Sequence, residues 1–154
     1  MNSEQSPALN LPPAPLTIVR RNGHPCVFDI LRRRYIKITP EEWVRQHFVH
    51  YLIHHKGYPQ ELLANEISLT LGATTKRCDT VLYDRQARPC MIIEYKAPHV
   101  PLSQRVFDQI SRYNIAFRVD YLLVSNGLQH YCCRMDYTTN TYAFLTEIPD
   151  YGQL

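Results

Sequence analysis

The sequence predicts a mixed α/β fold in which helices flank a central mixed sheet, with elements in the order αβββαβ and extra strands at the C-terminal end. Three observations predict it. Apolar residues recur at helical spacing in two segments, near 39–57 and 103–117. Between these segments, three strand-like stretches are joined by connections short enough to favour antiparallel neighbours. After the second helix, "VDYLLVSNG" reads as a buried strand closed by Asn126-Gly127.

The opening "MNSEQSPALNLPPAPL" holds four prolines and no positive charge, so 1–16 reads as a flexible or irregular arm and 17–154 as one domain. "TIVRRNGHPCVFD" and "ILRRRYIKI" follow as strands or docking segments, with a turn expected at Gly-His-Pro. The first helix opens on Thr39 as N-cap, with Pro40 at the first helical position and Glu42 completing a T-x-x-E capping box. Trp43, Val44, Phe48, Tyr51 and Leu52 form its buried face, and Gly57 ends it. "LLANEISLTL", "RCDTVLYD" and "CMIIEY" are the three strands, linked by "GATTK" and "RQARP". The second helix, about 103–117, turns Val106, Ile110 and Phe117 to the core. "QHYCCRM" and "TYAFLTEI" read as edge hairpin strands.

Composition narrows the function classes. A chain of 154 residues with 45% hydrophobic side chains supports one full core, and no internal repeat divides it. Seventeen Lys and Arg against 14 Asp and Glu give a net charge of +3, which permits a polyanionic partner without requiring one. The five cysteines, at 26, 78, 90, 132 and 133, make no C-x-x-C pair, and no signal-like segment opens the chain. They are expected to be reduced thiols in a cytoplasmic protein. No apolar run is long enough to span a membrane. No G-x-x-x-x-G-K-[ST] loop is present, so no ATP site is expected.

The chemistry sits on two of the strands. Side chains alternate along a strand, so Glu94 and Lys96 share a face with Ile92, while Met91, Ile93 and Tyr95 take the other. Asp79 shares its side with Val81 and Tyr83, and an antiparallel register brings it opposite Glu94. Glu66, expected at the start of the preceding strand, is a further acidic candidate. Gathering such carboxylates is unfavourable without a cation. Mg²⁺, with Mn²⁺ as a substitute, takes oxygen ligands and usually one or two protein carboxylates. Asp79, Glu94 and the Tyr95 backbone carbonyl are the candidate ligands, with Glu66 as a further one. Lys96 would orient an attacking water or stabilise charge on a phosphate. The same side chains also fit an ordinary Glu-Lys pair at a sheet edge beside an unrelated Asp.

"RCD" at 77–79 followed by "MIIEYKAP" at 91–98 resembles the metal site of the PD-(D/E)XK nuclease superfamily. The wider run, from "YIKITPEEWVRQHFVHYLI" through "GYP", "NEISL", "RCD", "IIEYKAP" and "QISRYN" to "LLVSNG", resembles the N-terminal nuclease domain of type I restriction enzyme R subunits. The resemblance covers roughly 31–127. It implies a restriction-endonuclease-like core, metal ligation by Asp79 and Glu94, catalysis by Lys96, and Glu66 as the acidic residue preceding the Asp strand. Gln109 and Tyr113 match the Q-x-x-x-Y motif of the RecB-like branch, near the active site and the DNA. Cys78 stands where the superfamily has its naming proline.

Apart from the family, Gln109 and Tyr113 lie four apart on one helical face and can reach a common site, although Tyr113 also fits as a core aromatic. Arg32, Arg33, Arg34, Lys76, Arg77 and Arg105, with Arg20, Arg21 and Lys37, are candidates for tracking a phosphate backbone. His47, His50 and His54 share a helical ridge, but no suitably spaced Cys or His completes a zinc set. The expected function is a divalent-metal-dependent DNA endonuclease. Its partners are DNA and either other restriction-modification subunits or a second copy. The alternative is a non-catalytic DNA-binding accessory or assembly module that retains the fold.

Overall fold

Thr39 starts the first helix: its Oγ1 accepts the Glu42 N–H at 3.1 Å, and Pro40 takes the first helical position, where no N–H is required. The computed structural model describes residues 6–154 and runs this helix, α1, over Pro40–His55. Gly57, at φ +71°, turns the chain out of it. The expected capping box is only half made. The Glu42 carboxylate turns to Arg32, Arg45 and Gln46 instead, because two guanidinium cations, one buried and one half-buried, outweigh a single backbone N–H. Val44, Phe48 and Leu52 are fully buried, whereas Trp43 and Tyr51 are half-buried at the margin of that face.

The second helix, α2, covers Gln104–Phe117, with Ser103 Oγ accepting the Val106 N–H. Its buried ridge is Phe107, Ile110, Ser111 and Asn114, and the expected Val106 and Phe117 are only half-buried. Asn114 rotates this ridge inward, since its Nδ2 donates to the carbonyls of Val119 and Tyr121 at 3.5 and 3.1 Å.

Strands β1 (Ile18–Arg21), β2 (His24–Asp29) and β3 (Arg34–Lys37) pair antiparallel as a small sheet. Its first turn is Asn22-Gly23, at φ +50° and +77°, and the expected Gly-His-Pro turn is displaced because His24 and Pro25 already belong to β2. An Asn-Gly pair adopts two positive φ values cheaply, so it takes the turn.

The six-stranded sheet runs in sequence order: β4 (Leu63–Leu71), β5 (Thr74–Tyr83), β6 (Pro89–Tyr95), β7 (Tyr121–Ser125), β8 (His130–Asp136) and β9 (Thr141–Phe144). All neighbours are antiparallel except β6 and β7, which are parallel and joined through α2, as a parallel pair requires a crossover. The expected "GATTK" turn shrinks to Gly72-Ala73, and the last strand to four residues. Met91, Ile92, Ile93, Leu122, Leu123 and Val124 are all at most 1% exposed, so β6 and β7 are buried on both faces. Phe48 and Leu52 of α1 pack on Leu82, Met91, Ile93 and Leu123, while Phe107 and Ile110 of α2 pack on Leu122 and Val124. The helices therefore cover opposite faces of one mixed sheet. Among the described residues no helix is long and apolar enough to cross a membrane.

Of the predicted arm, 1–5 lie outside the described residues, and 6–16 follow the body without regular structure. Asn10 N–H donates to the Gly127 carbonyl at 2.8 Å, and Trp43 Nε1–H donates to the Pro7 carbonyl at 3.1 Å. Gly127 sits at φ +86°, and a Cβ there would lie 2.7 Å from Leu9 Cδ2. Gly127→Ala is expected to cost about 1–2 kcal/mol and loosen the arm. A lower melting temperature with altered Trp43 fluorescence would show it, and an unchanged pair of readings would refute it.

Candidate active site

The register of β5 and β6 sets the site. Val81 pairs with Ile92 and Thr80 with Ile93, so one step further Asp79 stands opposite Glu94, with both on the side where α2 packs. The ladder ends there because Asp79 Oδ2 accepts the Tyr95 N–H at 2.8 Å. Glu94 is 6% exposed, and its Oε1 has no hydrogen-bond partner. Lys76 Nζ lies 3.2 Å from that oxygen, close enough for an ion pair but at an angle that makes no hydrogen bond. Burial, and then the adjoining Asp79 carboxylate, push Glu94 up to about 8 against the opposing pull of Lys76.

Glu66 does not join this pair. It lies inside β4 rather than at its start, at φ +57°, an uncommon conformation for a side chain of its size. The paired positions Asn65↔Thr80 and Ile67↔Cys78 flank it, and the Glu66 and Asp79 pair between them is missing. Its carboxylate turns to Arg45 and Arg77, at 2.6 Å each, and these two contacts hold its pKa below the usual value despite burial. Arg45 also donates to the Asp79 carbonyl at 2.9 Å, supplying the bond the interrupted ladder lacks. Strict alternation would place Cys78 opposite Val81, yet both pack with Ile92 in one cluster, so the alternation resets at this interruption.

A buried polar network backs the site. Tyr95 Oη donates to Thr80 Oγ1 (2.9 Å), Thr80 to Asn65 Oδ1 (2.7 Å), and Asn65 Nδ2 to Asp29 Oδ2 (2.9 Å). Asp29, 1% exposed, also receives the Leu31 and Arg32 N–H groups and the Arg32 guanidinium. Burial alone would raise its pKa, and these bonds bring it below the usual value. Sequence reasoning missed Asp29 and Arg45 as organising residues. Arg45 had a signal: it falls on the ridge of Phe48 and Leu52, where an apolar residue is the rule.

Lys96 is half-buried at the end of β6, with its N–H on the Ser125 carbonyl at 2.9 Å and no side-chain hydrogen bond or ion pair among the described residues. Tyr95 closes the β6–β7 ladder opposite Ser125. Tyr113 on α2 is 37% exposed, and the Lys76 Nζ lies 5.1 Å from its ring centre. Gln109, one turn earlier, is exposed and borders an open groove with Arg105 and Arg112. Of the other basic candidates, Arg32 is tied to Asp29 and Glu42, and Arg77 to Glu66. Arg33 and Arg34 are exposed, Arg34 at the start of β3 in the small sheet and Arg33 just before it. Lys76 had stood only among the basic candidates, yet it is the cation on Glu94.

Two adjoining carboxylates, one with a buried oxygen lacking a hydrogen bond, suit a hard divalent cation. Among the described residues no group of three or more His, Cys, Asp or Glu side chains is placed to hold a metal ion, so the side-chain donors stop at two. That is within the number Mg²⁺ usually takes from a protein. The raised Glu94 pKa also predicts a pH dependence. Between its unfolded value, 4.5, and its folded value, about 8, the native state binds the extra proton, so stability falls as pH rises through that window. Without divalent cations Glu94→Gln is expected to gain melting temperature relative to wild type from pH 5 to pH 8, a difference in which the opposite contributions of His47, His50 and His130, lowered by burial, cancel. A difference that stays constant across that range would contradict it.

The model of a protein family described as type I restriction enzyme R protein N terminus matches residues 40–149. No curated protein matches. A solved fragment of an HsdR subunit of a type I restriction enzyme from Vibrio vulnificus YJ016 superposes with a TM-score of 0.50 at 19% identity, over 73% of this chain. That likeness is one of fold, and the chain spans 24% of the fragment's length.

Proposed function

The chain belongs to the type I restriction enzyme R protein N-terminal family, and we propose on that premise that it is a nuclease of the PD-(D/E)XK superfamily, hydrolysing phosphodiester bonds in DNA with Mg²⁺ or Mn²⁺. The observation that carries the proposal is the buried Glu94 carboxylate, one oxygen without a hydrogen bond, against Asp79 on the neighbouring strand. Order and register support the superfamily reading: αβββαβ, with the Asp strand antiparallel to the Glu-x-Lys strand.

Asp79 and Glu94 hold the cation, with the Tyr95 carbonyl as the backbone ligand. When bound, the ion supplies Lewis-acid activation of water and neutralises charge at the phosphate. The Asp79 contact to the Tyr95 N–H and the Arg45 contact to the Asp79 carbonyl fix the carboxylate's position. Lys96, just past the strand end and without a side-chain hydrogen bond or ion pair among the described residues, stabilises negative charge developing on the phosphate. Gln109 and Tyr113 face the DNA from α2, with Arg105 beside Gln109. The partners are DNA and other restriction-modification subunits, in the cytoplasm.

Incubation of the purified chain with supercoiled plasmid and Mg²⁺ is expected to give nicked circles, lost in Asp79→Ala. Equal nicking by both proteins would end the assignment. Capture of Glu66 by Arg45 and Arg77 favours a second reading, a DNA-binding or assembly module that has kept the fold. In that case DNA binds and no strand is cut.

A further inference from the structure

We propose that Lys76 is a built-in counter-ion for Glu94, holding the carboxylate face that a divalent cation would take and withdrawing onto the Tyr113 ring when the cation binds. The inference rests on the metal-binding reading above. Two adjoining buried carboxylates require positive charge nearby whenever both are ionised. The other cations do not supply it: Arg45 is committed to Glu42, Glu66 and the Asp79 carbonyl, and Arg77 to Glu66, while Lys96 makes no ion pair among the described residues. Lys76 Nζ, 3.2 Å from Glu94 Oε1, is the cation in place.

The contact is of a kind that can be exchanged. The Lys76 ammonium also donates to the Arg77 carbonyl at 2.9 Å, so its hold on Glu94 is shared with a second acceptor. The Lys76 side chain is 23% exposed against 8% for Glu94, so the ammonium has a route outward while the carboxylate stays. The Tyr113 ring centre already lies 5.1 Å from Nζ, so the ammonium can settle on that ring when it gives up the carboxylate, because an aromatic face attracts a cation without competing for the carboxylate. This gives Tyr113 a task separate from contact with DNA. A divalent ion then replaces a single charge by two, and the lysine's withdrawal is the cost of that exchange.

The test is calorimetric titration of MnCl₂ into the metal-free full chain. Lys76→Met is expected to bind Mn²⁺ about tenfold more tightly than wild type, the scale of one competing charge in a half-buried site, and to melt lower when metal-free. Lys76→Arg, which keeps the charge, is expected to stay near wild type. Should Lys76→Met not fold, Lys76→Gln keeps a donor without the charge and is expected to tighten binding similarly. Tyr113→Leu is expected to weaken Mn²⁺ binding with Lys76 present and to have no effect in the Lys76→Met background. Wild-type binding with equal or weaker affinity in the neutral variants overturns the counter-ion alone, and equal Tyr113→Leu effects in both backgrounds overturn the ring's part. Absence of binding heat in every protein overturns the metal reading and this inference together.

Discussion

Lys96→Ala is expected to lose roughly 10²-fold or more of plasmid nicking while keeping its fold and its Mn²⁺ affinity. Lys96 directly follows the last residue of β6 and is half-buried, and its backbone N–H is already anchored on the Ser125 carbonyl at 2.9 Å. The ammonium makes no hydrogen bond or ion pair among the described residues, so its removal leaves no buried charge behind. It donates no oxygen to the ion. Lys76 cannot replace it, because that ammonium lies on Glu94. Asp79→Ala behaves differently, since it removes both a carboxylate ligand and the acceptor of the Tyr95 N–H, and binding and cutting fall together. Manganese calorimetry beside plasmid nicking on wild type and both variants separates the roles. Undiminished nicking by Lys96→Ala would remove the lysine from the mechanism.

The parts of this site that could be read in the sequence follow strand periodicity. Parity puts Glu94 and Lys96 on one face, and short connections allow an antiparallel register that brings Asp79 toward Glu94; β5 and β6 pair through Thr80 and Ile93, one step short of those two residues. Glu66 escaped the same reasoning because it depends on a single positive φ inside β4, which breaks the pairing with β5 at that residue and leaves no mark in the sequence pattern. The capping box at Thr39 failed for a related reason: Glu42 has the right local spacing, but Arg32, ten residues earlier, competes for its carboxylate. Asp29 lies far in sequence from Asn65, its partner at 2.9 Å, and a contact of that range leaves no periodic trace. Both helices were visible from their spacing, yet the buried ridge of α2 is set by Asn114, a polar residue that no apolar stripe would select.

Arg45→Met is expected to cost about 3–5 kcal/mol, the range for breaking a buried ion pair by removing one partner. For a chain of this size that lowers the melting temperature by roughly 10 °C. The Arg45 side chain is 7% exposed, pairs with Glu42 Oε2 at 3.1 Å, and donates hydrogen bonds to Glu66 Oε1 at 2.6 Å and the Asp79 carbonyl at 2.9 Å. Methionine matches much of the stem's volume, so the loss is mainly of charge and donors rather than of packing. Glu42 keeps Arg32 and Gln46, but Glu66 keeps only the exposed Arg77, and the Asp79 carbonyl loses the donor that replaces the broken ladder bond. The strained backbone at Glu66 then has less to hold it, because such a conformation persists only where its surroundings over-determine it. Mn²⁺ affinity should therefore weaken along with stability, although Arg45 contacts the Asp79 backbone rather than its carboxylate. Arg45→Lys keeps the charge but cannot reach three acceptors at once, and it should recover only part of either loss. Thermal melts and manganese titration on both variants provide the check: Arg45→Met melting within about 2 °C of wild type would mean that the guanidinium's bonds merely offset its burial, and the coupling from α1 through Arg45 to Asp79 would fall with it.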